Sequence, residues 1–109
     1  MNGSTAREGL QARLAGEGLS ASNWGNGPGD RYGEHRHDYD KVLVATDGSI
    51  TFHLRQHGRD VELCAGERLE LPAGTFHAAT VGPTGVTCLE AHLPAGTLGR
   101  EPSHRGDEW

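Results

Sequence analysis

The sequence predicts an antiparallel β-sandwich or barrel preceded by a short helix. Two observations carry that prediction. Short runs rich in Val, Leu, Ile, Phe and Thr recur at close intervals, over 31–37, 41–46, 49–56, 59–64, 67–71, 76–81 and 85–93. Glycine is also abundant, 17 of 109 residues, and much of it falls between those runs, as tight turns require.

The N-terminal segment, 1–19, reads as a helix and its lead-in. Thr5 and Glu8 stand at capping-box spacing. Ala6, Leu10 and Leu14 follow at i, i+4 and i+8 on one face, and Gly16 or Gly18 supplies a stop. The apolar stripe is narrow, so the helix is expected to pack on the domain or on a partner. The stretch 22–30 is turn-rich, with Trp24 as its one large anchor. Residues 20–95 form the predicted barrel. Within it, Thr46-Asp47-Gly48-Ser49 is the strongest hairpin signal and Gln56-His57-Gly58-Arg59 a second. Residues 96–109 show Pro, Gly and charge without periodicity, which predicts a mobile tail.

Charge and composition exclude several functions. Ten Lys and Arg against 15 Asp and Glu give a net charge of −5, with the basic residues scattered singly, so no nucleic-acid partner is expected. No apolar run approaches the ~20 residues that span a bilayer, and the first residues lack the basic and apolar regions of a signal peptide. No membrane partner is expected. Two cysteines without a CxxC pair suit buried, reduced thiols, and the cytoplasm is the expected compartment.

Histidine is the informative residue, with seven in the chain. His35 and His37, one residue apart in a strand pattern, leave the same face about 6.6 Å apart along the strand. Two imidazoles at that spacing can converge on one ion, with bonds of about 2.0–2.1 Å. An exposed polar strand face is the competing reading. His77 follows Pro72-Ala73-Gly74-Thr75, a turn that sets it at the start of a returning strand, where a barrel brings it opposite the first pair.

With these residues the chain resembles a small single-domain cupin. Gly29, five residues, His35-Arg36-His37, three residues, Lys41, six residues and Gly48 follow the family's first motif. Gly66, five residues, Pro72-Ala73-Gly74, two residues, His77, three residues and Val81 follow its second, 17 residues further on. All but two signature positions match, and the resemblance covers about 24–93. It implies an all-β double-stranded β-helix, or jelly-roll barrel, with one divalent transition metal (Fe, Zn, Ni, Mn or Cu) in its mouth, and commonly a homodimer. It also implies His35, His37 and His77 as ligands.

The two departures are Lys41, where the family supplies a glutamate ligand, and Val81, where it has asparagine. An ammonium has three donors and no acceptor, so Lys41 cannot ligate. At about 5 Å from a dication it would be repelled by on the order of 6–7 kcal/mol at an effective dielectric near 20. It must be neutral, turned away or compensated by an acid. Parity puts His35, His37, Tyr39 and Lys41 on one face. In the last strand Cys88, Glu90 and His92 alternate with Leu89, Ala91 and Leu93. Glu90 is therefore the candidate that either pairs with Lys41 or serves as a fourth ligand, unless it and His92 face solvent. Tyr39, Lys41 and Glu90 are the candidate catalytic groups. Arg55 and Arg68 are either surface charges or carboxylate binders at the mouth. His53, His57 and His104 are expected to be solvated.

Three functions remain open. The first is a metal-dependent enzyme acting on a small molecule; the resemblance supplies dioxygenases, isomerases and lyases as precedents, including thiol dioxygenases that bind iron through three histidines alone. The second is a non-catalytic metal- or ligand-binding module. The third is a metal-free barrel in which Lys41, fixed by Glu90, fills the site.

Overall fold

The computed structural model describes residues 3–109; the side chains of residues 3–5 lie outside that description. One helix, α1 (Gly3–Gly16), precedes seven strands: β1 (Ser22–Asn26), β2 (Arg31–His35), β3 (Asp40–Leu54), β4 (Arg59–Cys64), β5 (Arg68–Leu71), β6 (His77–Leu93) and β7 (Ser103–Arg105). All pairings are antiparallel. The two long strands organise the molecule. The C-terminal half of β6 and the N-terminal half of β3 form one sheet in the order β1-β6-β3-β5-β7. Their other halves run on into a second sheet, flanked by β2 on β6 and β4 on β3. This is the jelly-roll barrel.

The two long strands correct the predicted hairpin at Asp47-Gly48. The chain does not reverse there; β3 continues from one sheet into the other through bulges between Ala45 and Asp47 and between Gly48 and Ile50. Bulges of this kind let a strand change sheets at a corner. Gly48 has φ +70°, and a Cβ added to it would stand 2.0 Å from the Gly85 carbonyl oxygen of β6. The same signal that makes a hairpin elsewhere here makes a corner, because residues on both sides find partners in β6. The Gly82–Gly85 segment is likewise part of β6 rather than a turn between strands.

The interior between the sheets is apolar, with Leu43, Ile50, Phe52, Leu54, Leu63, Leu69 and Val81 among its buried residues. A second cluster lies on the outer face of β3 and β6, where Val42, Val44, Leu89 and Ala91 are covered by Leu14 and Leu19. The stripe of α1 thus packs on the barrel itself. The helix begins at Gly3, so Thr5 lies within its first turn; the proposed capping box falls on a side chain outside the described set. It ends in a left-handed glycine cap. Gly18 has φ +81° and donates to the Ala15 carbonyl, while Leu19 N–H reaches back to the Leu14 carbonyl.

The C-terminal segment 96–109 is not the mobile tail its composition suggests. β7 pairs with β5, Arg68 opposite Arg105 and Glu70 opposite Ser103. The Trp109 ring lies between the Arg13 and Arg68 guanidiniums, 4.1 and 4.9 Å from its centroid, and its Nε1 donates to the Gly66 carbonyl at 2.9 Å. What holds the segment is the open edge of β5 and one terminal aromatic, neither of which produces a periodic pattern.

Candidate metal centre

His35 ends β2 and His77 begins β6, and the two are direct cross-strand partners. Their ring centroids are 4.3 Å apart. His37 is not on β2, as strand parity requires; it lies in the short connection to β3. Its position is fixed from the other side of the mouth. Pro72–Thr75 forms a turn closed by a bond from Thr75 N–H to the Pro72 carbonyl, with Gly74 at φ +82°, and Gly74 N–H donates to the His37 carbonyl at 2.8 Å. Ala73 N–H donates to Asp40 Oδ1 at 2.8 Å. One turn therefore orients the His37 backbone and delivers His77.

The ligand nitrogens of His35, His37 and His77 lie within 4.8 Å of one another, the one such cluster among the described residues. Their tautomers follow from their partners. His35 Nδ1 donates to the Gly33 carbonyl at 2.7 Å, and His77 Nδ1 to the Thr75 carbonyl at 2.9 Å. Lys41 Nζ, a donor only, lies 3.2 Å from His37 Nε2, which must accept. Each ring thus carries its proton on Nδ1 and presents an Nε2 lone pair. Burial pushes the His77 imidazole down to about 4, against the opposing bond to Thr75; His77 is 3% exposed. His37 is lowered too, by burial and then by Lys41 and His35. Three converging imidazoles, two of them with Nδ1 held by a backbone carbonyl, fit a transition metal.

Lys41 and Glu90 face each other across the same mouth, with Nζ 3.6 Å from Oε1. Glu90 stands apart from the ligand cluster. Its Oε1 accepts from Trp24 Nε1 at 3.0 Å and its Oε2 from His92 Nε2 at 2.6 Å. Burial alone would raise its carboxyl; the His92 bond, Lys41 and Trp24 outweigh that and hold it below the usual range. The Tyr39 ring lies between His37 and His92, at 4.9 and 4.1 Å. Its phenol is raised by burial and by Glu90. These groups rim a cavity of about 440 Å³ whose wall includes Leu43, Ile50, Phe52 and Ala79.

The other candidates lie elsewhere. His53 is on the outer face, its Nδ1 2.9 Å from Asp60 and its Nε2 3.0 Å from Thr80. His57 and His104 are not simply solvated: His57 pairs with Glu101 at 3.2 Å and His104 with Glu67 at 2.9 Å. Arg55 is exposed in a 3-10 turn. Arg68 fits neither sequence reading. It is 4% exposed, outside the cavity, and bonded to Glu17 and Glu70 beneath Trp109. Cys64 and Cys88 are free thiols; Cys88 is buried and pushed up to about 12, too high to react near neutral pH.

Sequence reasoning missed two residues. Trp24, placed among turns, lies on β1 opposite Cys88 and bonds Glu90. Asp40 is buried at the start of β3 and accepts from Leu98 N–H at 2.6 Å as well as from Ala73. An acid beside a strand start carries no signal of partners 33 and 58 residues away.

No protein-family model and no curated protein matches the sequence. Solved structures do. A chain from the structures of the DMSP lyases RdDddP and RnDddQII is 33% identical, with a TM-score of 0.58 over 74% of this chain and 40% of that one. A cupin-2 domain containing protein from Shewanella frigidimarina is 19% identical, with a TM-score of 0.56 over 65% of this chain and 66% of that one. Oxalate decarboxylase from Bacillus subtilis, in a study of its Mn(II) centres, is 20% identical, with a TM-score of 0.59 over 74% of this chain and 22% of that one. The chain thus spans less than half the length of the lyase and decarboxylase chains.

Proposed function

This chain is a cupin by its fold and its two histidine motifs, and from that premise we propose that it is a metal-dependent enzyme of lyase type acting on a small molecule in the barrel mouth. The observation that carries this reading is the convergence of His35, His37 and His77, whose ligand nitrogens lie within 4.8 Å of one another at the cavity. Those three residues would hold a divalent transition ion, which supplies Lewis-acid polarisation of a substrate oxygen when bound. The likeness to a chain from the DMSP lyase structures favours lyase over dioxygenase or isomerase chemistry.

The chain's own groups have distinct parts in this reading. Tyr39, its phenol kept protonated by burial and by Glu90, is the O–H donor to a substrate oxygen. Lys41 brings an ammonium to the cavity beside His37. Glu90, engaged by Trp24, His92 and Lys41, keeps that ammonium within the mouth. Leu43, Ile50, Phe52 and Ala79 give the cavity an apolar wall.

Protein prepared without a His tag should retain about one transition ion per chain, as a closed set of three imidazoles implies. His77→Ala should lose it. Metal-loaded protein should turn over DMSP, and Tyr39→Phe should abolish that turnover while leaving the metal content unchanged. Metal uptake without turnover leaves a binding module. A metal-free barrel is the second reading, favoured by the Lys41 ammonium only 3.2 Å from His37 Nε2, and no metal retention at all would select it.

A further inference from the structure

We infer that the cavity takes a small carboxylate, its anionic end held by the Lys41 ammonium; this rests on the metal-binding reading above. Lys41 and Glu90 are the charged side chains lining the cavity besides its histidines. Glu90 is already engaged, by Trp24 at 3.0 Å on one oxygen and His92 at 2.6 Å on the other, with Lys41 a longer contact at 3.6 Å. The ammonium has three N–H donors. The shortest of its contacts is to His37 Nε2, at 3.2 Å, and that lone pair is the one an ion would take. An ion held there would take that lone pair and leave a Lys41 donor free at the cavity.

Charge balance points the same way. Imidazoles that ligate an ion are neutral. A divalent ion and an ammonium set against one carboxylate leave an excess of positive charge. Lys41 is 9% exposed, so water compensates that excess poorly and an anion compensates it well. A glutamate at position 41, the usual cupin arrangement, would remove this demand. Leu43, Ile50 and Phe52 give the rest of the cavity an apolar wall, with Asn26, Tyr32 and Tyr39 as its uncharged polar groups. A volume of about 440 Å³ admits a molecule the size of benzoate.

The test uses the full chain loaded with Co(II), whose visible absorption reports on the centre, with benzoate and benzamide as probes of one shape and different charge. Benzoate should perturb the spectrum saturably and benzamide should not. Lys41→Gln should weaken benzoate by about tenfold or more, the loss expected for one charge-assisted hydrogen bond, read on cobalt-saturated protein. The double variant Lys41→Met/Glu90→Gln, which leaves no unpaired carboxylate in the mouth, should behave the same way with a native circular dichroism spectrum. A wild-type chain that takes up no cobalt overturns the metal reading and this inference together. Cobalt uptake with equal affinity for the two probes, or with benzoate affinity unchanged in both variants, overturns this inference alone.

Discussion

Asp40 shows how much of the site rests on a residue that never touches it. Its side chain is buried, yet it stays ionised. Burial alone would raise its carboxyl, but the backbone N–H groups of Leu98, Ala73, Gly96 and Thr97 outweigh that and lower it. Through Ala73 it steadies the turn that orients His37 and delivers His77; through Leu98 it ties down the C-terminal segment. A folded value below the unfolded one, about 3.9, contributes stability that is fully present above that pH and lost as pH falls through the folded value. Asp40→Asn should destabilise the protein by about 2–3 kcal/mol at pH 7, since an amide offers donors where donors already point. It should also flatten the decline of stability below about pH 4, read from urea midpoints across that range. An acid limb as steep in the variant as in the wild type would assign the decline to other carboxylates. The residue-scale lesson is uneven. His35, His37 and Lys41 stand out in the sequence because their spacing is local, and His77 because the Pro72-Ala73-Gly74 turn just before it is. Asp40 and Arg68 do not, because what matters about them is the distant backbone or side chain each one meets.

At the scale of elements, the two long strands decide the architecture. β3 and β6 each pass from one sheet to the other, and the corner in β3 is possible because Gly48 adopts φ +70° within contact distance of the Gly85 carbonyl. Gly48→Ala should cost at least about 2 kcal/mol, from the left-handed backbone and the displaced carbonyl together. A lower denaturant midpoint at unchanged slope is the expected result; an unchanged midpoint would mean that the corner tolerates a Cβ. Strand positions were readable from alternation, since a half-buried strand must alternate. Whether two neighbouring runs form a hairpin or one bent strand was not, because Asp-Gly suits a turn and a corner alike, and only pairing with β6 chooses between them. The tail was misread for a related reason: three residues of β7 suffice to close an edge and are too few to show a period.

For the molecule as a whole, the barrel has a dry interior and a wet, charged mouth, and a metal would couple the two. A ligand that binds only the folded chain stabilises it by about 2.7 kcal/mol at a hundredfold excess over its dissociation constant. For a domain of this size that should raise the melting temperature by about 10 °C. Zinc or manganese should produce such a rise in the wild type, read by calorimetry, and no rise in His77→Ala. Equal shifts in both would place the ion elsewhere. Among the described residues, no helix is long and apolar enough to cross a membrane.

The sequence by itself determined the antiparallel β class, the runs that form β2 to β6, the helix with its apolar stripe, and the three histidines with a lysine among them. Each depends on residues close along the chain, where period and spacing translate directly into geometry. Only the tertiary structure decided that His35 lies directly across from His77, that Glu90 answers Lys41 while Trp24 and His92 hold it, and that the C-terminal segment is docked. Those facts depend on which strands lie side by side. Hydrogen bonding between strands settles that through contacts dozens of residues apart, at which range local spacing says nothing.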